Sequence, residues 1–156
     1  MVVIVIDYLC FQEVNTMNIL YFLTPKSDVT YIYDDFSLIE TLNTLEEHRY
    51  SSIPIISKNG KYVGTLTEGD ILWAIKNNFD LSVQNPDKIL ITQVQRKKDN
   101  QPVRADANME DLVSKAMCQN FVPVIDDNGI FIGIITRKDI IEYCYTHFEK
   151  QEKVKR

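Results

Sequence analysis

One stretch of this chain occurs twice, and the duplication constrains its fold more than any other feature. Residues 53–72 return as residues 122–141 without a gap: Pro123 follows Pro54 by 69 positions, as Gly133 follows Gly64 and Asp139 follows Asp70. What is kept are residues with special backbone or polar demands, namely Pro, Asn-Gly, Gly, Thr and Asp. The apolar positions exchange among themselves. A repeat of this kind predicts two copies of one supersecondary unit, packed as a pseudo-twofold pair with a cleft between them.

Each copy reads as βαββα, so the fold class is α/β (α+β). In the first copy, residues 29–33 are β-branched and aromatic and predict a strand. Ser37-Leu38-Ile39-Glu40 has the form of a capping box, and Leu38, Leu42 and Leu45 then place apolar side chains on one helix face. Residues 53–57 and 62–66 predict strands around Asn59-Gly60, whose positive φ suits a tight hairpin turn. Thr67-Glu68-Gly69-Asp70 is a second capping box, opening a helix with Ile71, Leu72 and Ile75 on one side.

The second copy repeats this order. It has a strand at 103–105, a helix capped at Asn108 with Met109, Leu112, Val113 and Ala116 inward, and strands at 122–126 and 130–135 around Asn128-Gly129. Its last helix starts from Thr136, with Ile140, Ile141, Cys144 and Phe148 expected inward. The expected organisation is an N-terminal extension at 1–16, a first repeat at 17–80, a second at 81–148, and a basic tail at 149–156. Met17 is expected to be the native start.

Composition narrows the function classes. A net charge of −5 argues against a general nucleic-acid binder, which needs a basic face to neutralise phosphates. The apolar start, residues 1–6, is far shorter than the ~20 residues that span a bilayer, and it lacks the basic lead of a signal peptide. Cys10, Cys118 and Cys144 lack metal or redox spacing and read as reduced thiols of a cytoplasmic protein. His48 and His147 are isolated, so no metal set forms. No nucleophile elbow, Cys/His signature or phosphate loop is present, which argues against an enzyme.

The chain resembles the cystathionine-β-synthase (CBS) domain pair, or Bateman module, of stand-alone bacterial type. The resemblance rests on Thr24-Pro25 before the first strand and on the Pro54 and Pro123 strands. It rests equally on two Gly-x-x-Thr-x-x-Asp strings, Gly64 to Asp70 and Gly133 to Asp139. Richness in Ile, Asn, Lys and Tyr fits an AT-rich bacterial genome. The resemblance implies two related clefts that take adenosine-containing ligands: AMP, ADP, ATP, S-adenosylmethionine or cyclic di-AMP. It also implies a homodimer and an effector protein whose activity the ligand modulates. No cofactor is required beyond this regulatory ligand.

The residue chemistry agrees with a nucleotide. Thr67 and Thr136 stand where a strand ends and a helix begins, beside unpaired N–H groups and the positive end of the helix dipole. Asp70 and Asp139, one turn on, can each accept two hydrogen bonds from a ribose diol. Ile53 and Val122, with Pro54 and Pro123, offer an apolar surface for a base. Thr-x-x-Asp is also a helix cap in its own right, and the two roles are compatible. Arg137 and Lys138 are expected to favour a phosphorylated ligand at the second site, whereas Glu68 at the first repels phosphate. The alternative function is a dimerising interaction module that needs no ligand, for which Trp73, Tyr143 and Tyr145 supply candidate packing residues.

Overall fold

The computed structural model describes residues 17–78 and 85–154. The expected extension at 1–16 and the inward placing of Phe148 lie outside the described residues and side chains. The first unit consists of β2 (Ile32–Tyr33), α1 (Leu38–His48), β3 (Ser52–Ile56), β4 (Tyr62–Thr67) and α2 (Glu68–Asn78). The second consists of β5 (Val103–Arg104), α3 (Met109–Ala116), β6 (Phe121–Ile125), β7 (Phe131–Thr136) and α4 (Arg137–Val154). A two-residue strand, β1 (Thr24–Pro25), precedes both.

The local signals act as their chemistry dictates. The Ser37 hydroxyl accepts from the Glu40 N–H at 3.3 Å and the Glu40 carboxylate accepts from the Ser37 N–H at 2.8 Å, closing the capping box of α1. Asn108 caps α3 by accepting from the Asp111 N–H at 2.8 Å. Gly60 and Gly129 take φ of 82° and 78°, the left-handed backbone that their hairpin turns require. The predicted strand at 29–33 shortens to Ile32–Tyr33, because Lys26–Asp28 winds into a 3-10 turn in which the Val29 N–H donates to the Lys26 carbonyl.

The units are completed by each other's leading segments. β1 pairs antiparallel with β7 of the second unit, Thr24 opposite Ile134 and Pro25 opposite Gly133, giving the sheet order β1-β7-β6-β5. Ile19 and Phe22, just before β1, are buried in the second core with Leu112, Val122 and Ile135. Ile91 and Val94, which lead into the second repeat, are buried instead in the first core with Ile32, Ile53 and Leu66. Burying one such side chain stabilises by roughly 1.5–3 kcal/mol. Neither unit therefore has a closed core without chain from in front of the other.

Two expected core residues face outward. Leu72 is 57% exposed and Ile141 is 61% exposed. Successive helix residues point about 100° apart, and Ile71 with Ala74, or Ile140 with its half-buried neighbours Tyr143 and Cys144, already fills the inward face. The two hairpin tips meet across the pseudo-twofold: the Phe131 N–H donates to the Gly60 carbonyl at 2.8 Å and the Tyr62 N–H to the Gly129 carbonyl at 3.4 Å. This contact fixes the unit spacing and so the cleft width. Among the described residues no helix is long and apolar enough to cross a membrane.

Candidate functional site: two Thr-x-x-Asp seats

Both Thr-x-x-Asp strings cap the helix they open. At the first, Asp70 Oδ2 accepts from the Thr67 N–H at 3.0 Å and from the Thr67 hydroxyl at 2.7 Å, and the Asp70 N–H donates back to Thr67 Oγ1 at 3.1 Å. At the second, the Thr136 hydroxyl donates to Asp139 Oδ2 at 2.5 Å and the Asp139 N–H returns a bond at 3.1 Å. Each cap leaves one carboxylate oxygen, Oδ1, outside the reciprocal pair.

The fate of that oxygen separates the seats. Asp70 Oδ1 accepts from the Lys97 backbone N–H at 3.0 Å, and Asp70 is only 6% exposed. The connector between the repeats, residues 96–101, continues over the edge of β4, where Asp99 Oδ1 accepts from the Thr65 N–H at 2.9 Å and from Arg96 Nε at 2.7 Å. Burial works to raise the Asp99 pKa, but the bonds from Arg96 and Thr65 outweigh it and hold the carboxyl below its ordinary value. Hydrogen bonding to Asp99 likewise raises the Arg96 guanidinium. A Cβ on Gly64 would stand 2.3 Å from Asp99 Oδ1, so glycine there admits the carboxylate.

Among the described residues no such strand of chain meets Asp139. No described residue donates to its Oδ1, and Asp139 lines a cavity of about 460 Å³ with Tyr21, Phe22, Thr24, Glu142 and Thr146. Thr136 and Thr24 line a second cavity of about 330 Å³, whose other walls include Tyr50, Ser52 and Pro54 from the first unit and Asn120 and Phe121 from the second. Thr24 belongs to both cavities. These volumes suit a small molecule.

The other candidates separate into cleft and core. Pro54 lines the cleft. Ile53 and Val122 are 0% exposed within the unit cores, because strand residues alternate faces and theirs point inward. Pro123 is buried opposite Ile134 on the neighbouring strand. The Arg137 guanidinium donates to Asn120 Oδ1 at the cleft rim, and Lys138 is exposed over a separate depression with Ile141, Glu142 and Tyr145. Residues 136 and 139 share one helix face, and 137 and 138 turn off it. Arg137, Lys138 and Asp139 all lie outside the lining of the inter-repeat cavity, which Asp139 adjoins through Thr24, and Glu68 is exposed. Thr24, Tyr50, Asn120 and the connector donors carry no motif of their own. The one available signal was Thr24-Pro25.

Two packed βαββα repeats sharing a cleft define a tandem-repeat α/β module. The sequence model of the CBS domain matches residues 21–77 and 94–146, and the chain belongs to that family. It is 28% identical over 142 residues to an uncharacterized protein of Methanocaldococcus jannaschii, covering 71% of this chain and 83% of that one. It is 29% identical over 123 residues to an inosine-5'-monophosphate dehydrogenase of Nitrosopumilus maritimus, covering 78% of this chain but only 24% of that enzyme. Among solved structures it is similar to CbpB in complex with c-di-AMP, with a TM-score of 0.82 and 25% identity, covering 94% of this chain and 96% of that one.

Proposed function

We propose that the chain is a regulatory ligand sensor that binds an adenosyl ligand in the cleft between its repeats, at the seat built on Thr136 and Asp139. The observation that carries this reading is that Asp139 opens onto a cavity that adjoins the inter-repeat cleft at Thr24, while Asp70 is closed by its own chain. In this reading Asp139 holds the ribose diol and Thr136 meets the phosphate side, while the Arg137 and Asp139 N–H groups stay bonded to the Asn120 carbonyl and the Thr136 hydroxyl. Pro54 with Ile134 forms the apolar wall for the base. The c-di-AMP bound by CbpB supports a ligand of this class.

The cleft walls come from both units, so a ligand with different affinity for two packings of the units shifts their balance. That shift is the signal to an effector protein. The reading includes no catalytic residue, metal, nucleic acid or membrane, and places the protein in the cytoplasm. It also includes a homodimer formed on the exposed apolar residues of α2 and α4: Leu72, Trp73, Ile141 and Tyr145. Those same residues favour the second reading, an interaction module that needs no ligand.

Thermal melting against AMP, ADP, ATP, S-adenosylmethionine and cyclic di-AMP tests it. A ligand at a hundred times its dissociation constant stabilises the native state by about 2.7 kcal/mol. At least one member should raise the melting temperature by several degrees. No shift with any of them, beside a stable dimer in light scattering, would favour the second reading.

A further inference from the structure

We infer that residues 96–101 are a built-in occupant of the first seat, and that the Lys97 backbone N–H and the Asp99 carboxylate decide which of the two seats takes ligand. This rests on the adenosyl reading given above. A capping Asp has one oxygen left to read a ribose hydroxyl, and at Asp70 a backbone N–H already holds it at 3.0 Å. The donor is the chain itself.

The two leading segments show why only one seat closes this way. Ile91 stands 72 positions after Ile19 and Val94 stands 72 after Phe22. Each pair fills corresponding holes in opposite cores. By the same offset Lys97 stands where Pro25 stands. Proline has no N–H to give, and Pro25 instead lies in β1 opposite Gly133. One residue type therefore separates a carboxylate that is satisfied within the chain from one left to a ligand.

The connector is fastened on both sides. The Tyr62 hydroxyl donates to the Asn100 carbonyl at 2.8 Å, beside the Asp99 bonds to Thr65 and Arg96 on the first unit. On the second unit, the Asn100 side-chain amide donates to the Phe121 carbonyl at 2.9 Å, and the Gln101 N–H donates to the buried Gln119 side chain at 2.7 Å. Releasing Asp70 to a ligand requires the connector to leave a site held by all of these. Glu68 is a separate obstacle that acts on charged ligands alone.

Adenosine is the probe, because it carries the diol without a phosphate for Glu68 to repel. Native mass spectrometry and titration calorimetry on the full chain should count one adenosine per chain for the wild type. Two are expected for Lys97→Pro, which lacks the N–H, and for Asp99→Ala, which loosens the connector. Two per chain in the wild type would overturn the inference, as would an unchanged count in variants whose circular dichroism and melting show them folded. No binding to the wild type but one per chain in the variants would uphold the connector's role and defeat the Asp139 reading. No binding to any of them would end both. Hydrogen exchange gives a reading that needs no variant: the Lys97 amide should exchange slowly in the wild type, and free exchange there would overturn the inference.

Discussion

Gly64 and Gly133 hold the same place in the repeat, but different chain presses on each. A Cβ on Gly133 would come within 2.2 Å of the Thr24 backbone oxygen, because β1 lies against β7 there as a true strand. At Gly64 the neighbour is a side chain, the Asp99 carboxylate, and among the described residues no strand pairs with that edge of β4. Two copies of one fold thus present opposite edges. The difference comes from the segment in front of each repeat, which belongs structurally to the other. Duplication fixes the scaffold, and the leading segments make one seat open and the other closed.

The two edges should differ most in their response to substitution at the glycines and the crossed core residues. Gly133→Val should cost roughly 4 kcal/mol, since backbone must move and β1 detaches with its anchors Ile19 and Phe22. Denaturant unfolding measures it, and a loss below that of a surface substitution would refute the strand contact. Ile19→Ala and Ile91→Ala should each cost about 3 kcal/mol despite lying outside the repeats' own helices and hairpins. The crossover adds a directional signature: Ile19→Ala should weaken hydrogen-exchange protection in β6 and β7, and Ile91→Ala in β3 and β4. Protection lost in the wrong unit would defeat the exchange of segments.

Gly64→Ala should cost only about 1 kcal/mol, because a carboxylate can swing aside where a backbone cannot. Parity with Gly133→Ala would erase the distinction between the edges. The smallest effect is on pH. The Asp99 carboxyl is held below its unfolded value, so its contribution is fully present above about pH 4 and is lost as pH falls through the folded-state value. Stability of the wild type should fall faster on acidification through that window than that of Asp99→Asn. Parallel curves would show that the Arg96 and Thr65 bonds do not bias Asp99.

Much of the scaffold was legible because its signals are local. Ser37-x-x-Glu40, Asn108 and the two Asn-Gly turns act within four residues, and each forms as its chemistry requires. The repeat offset likewise carried the strand register, since Pro54 opposite Thr65 recurs as Pro123 opposite Ile134. What escaped was long-range. Nothing near Thr24 states that it pairs with Ile134, and the Lys97 contact uses a backbone N–H that every residue but proline carries. Ile53 and Val122 were read for a base because β-branched residues suit either face of a strand, and only the sheet's packing puts them inside. Arg137 and Lys138 were read as phosphate ligands from their place at the helix start; the Arg137 guanidinium donates to Asn120 at the cleft rim and Lys138 lies over a separate depression, neither of which their sequence position states.

Under the proposed function two similar carboxylates do different work, Asp139 for a ligand and Asp70 for the fold alone. Calorimetric titration of a bound adenosyl ligand, paired with melting curves, on Asp139→Ala and Asp70→Ala tests it directly. Asp139→Ala should lose at least about tenfold in affinity, equivalent to about 1.4 kcal/mol, with no more than the ~1 kcal/mol stability loss of its helix cap. Asp70→Ala should keep its affinity within about twofold while losing roughly 1–3 kcal/mol of stability, as the cap and the connector come apart. Equal affinity losses in the two variants, or the larger loss in Asp70→Ala, would contradict the account.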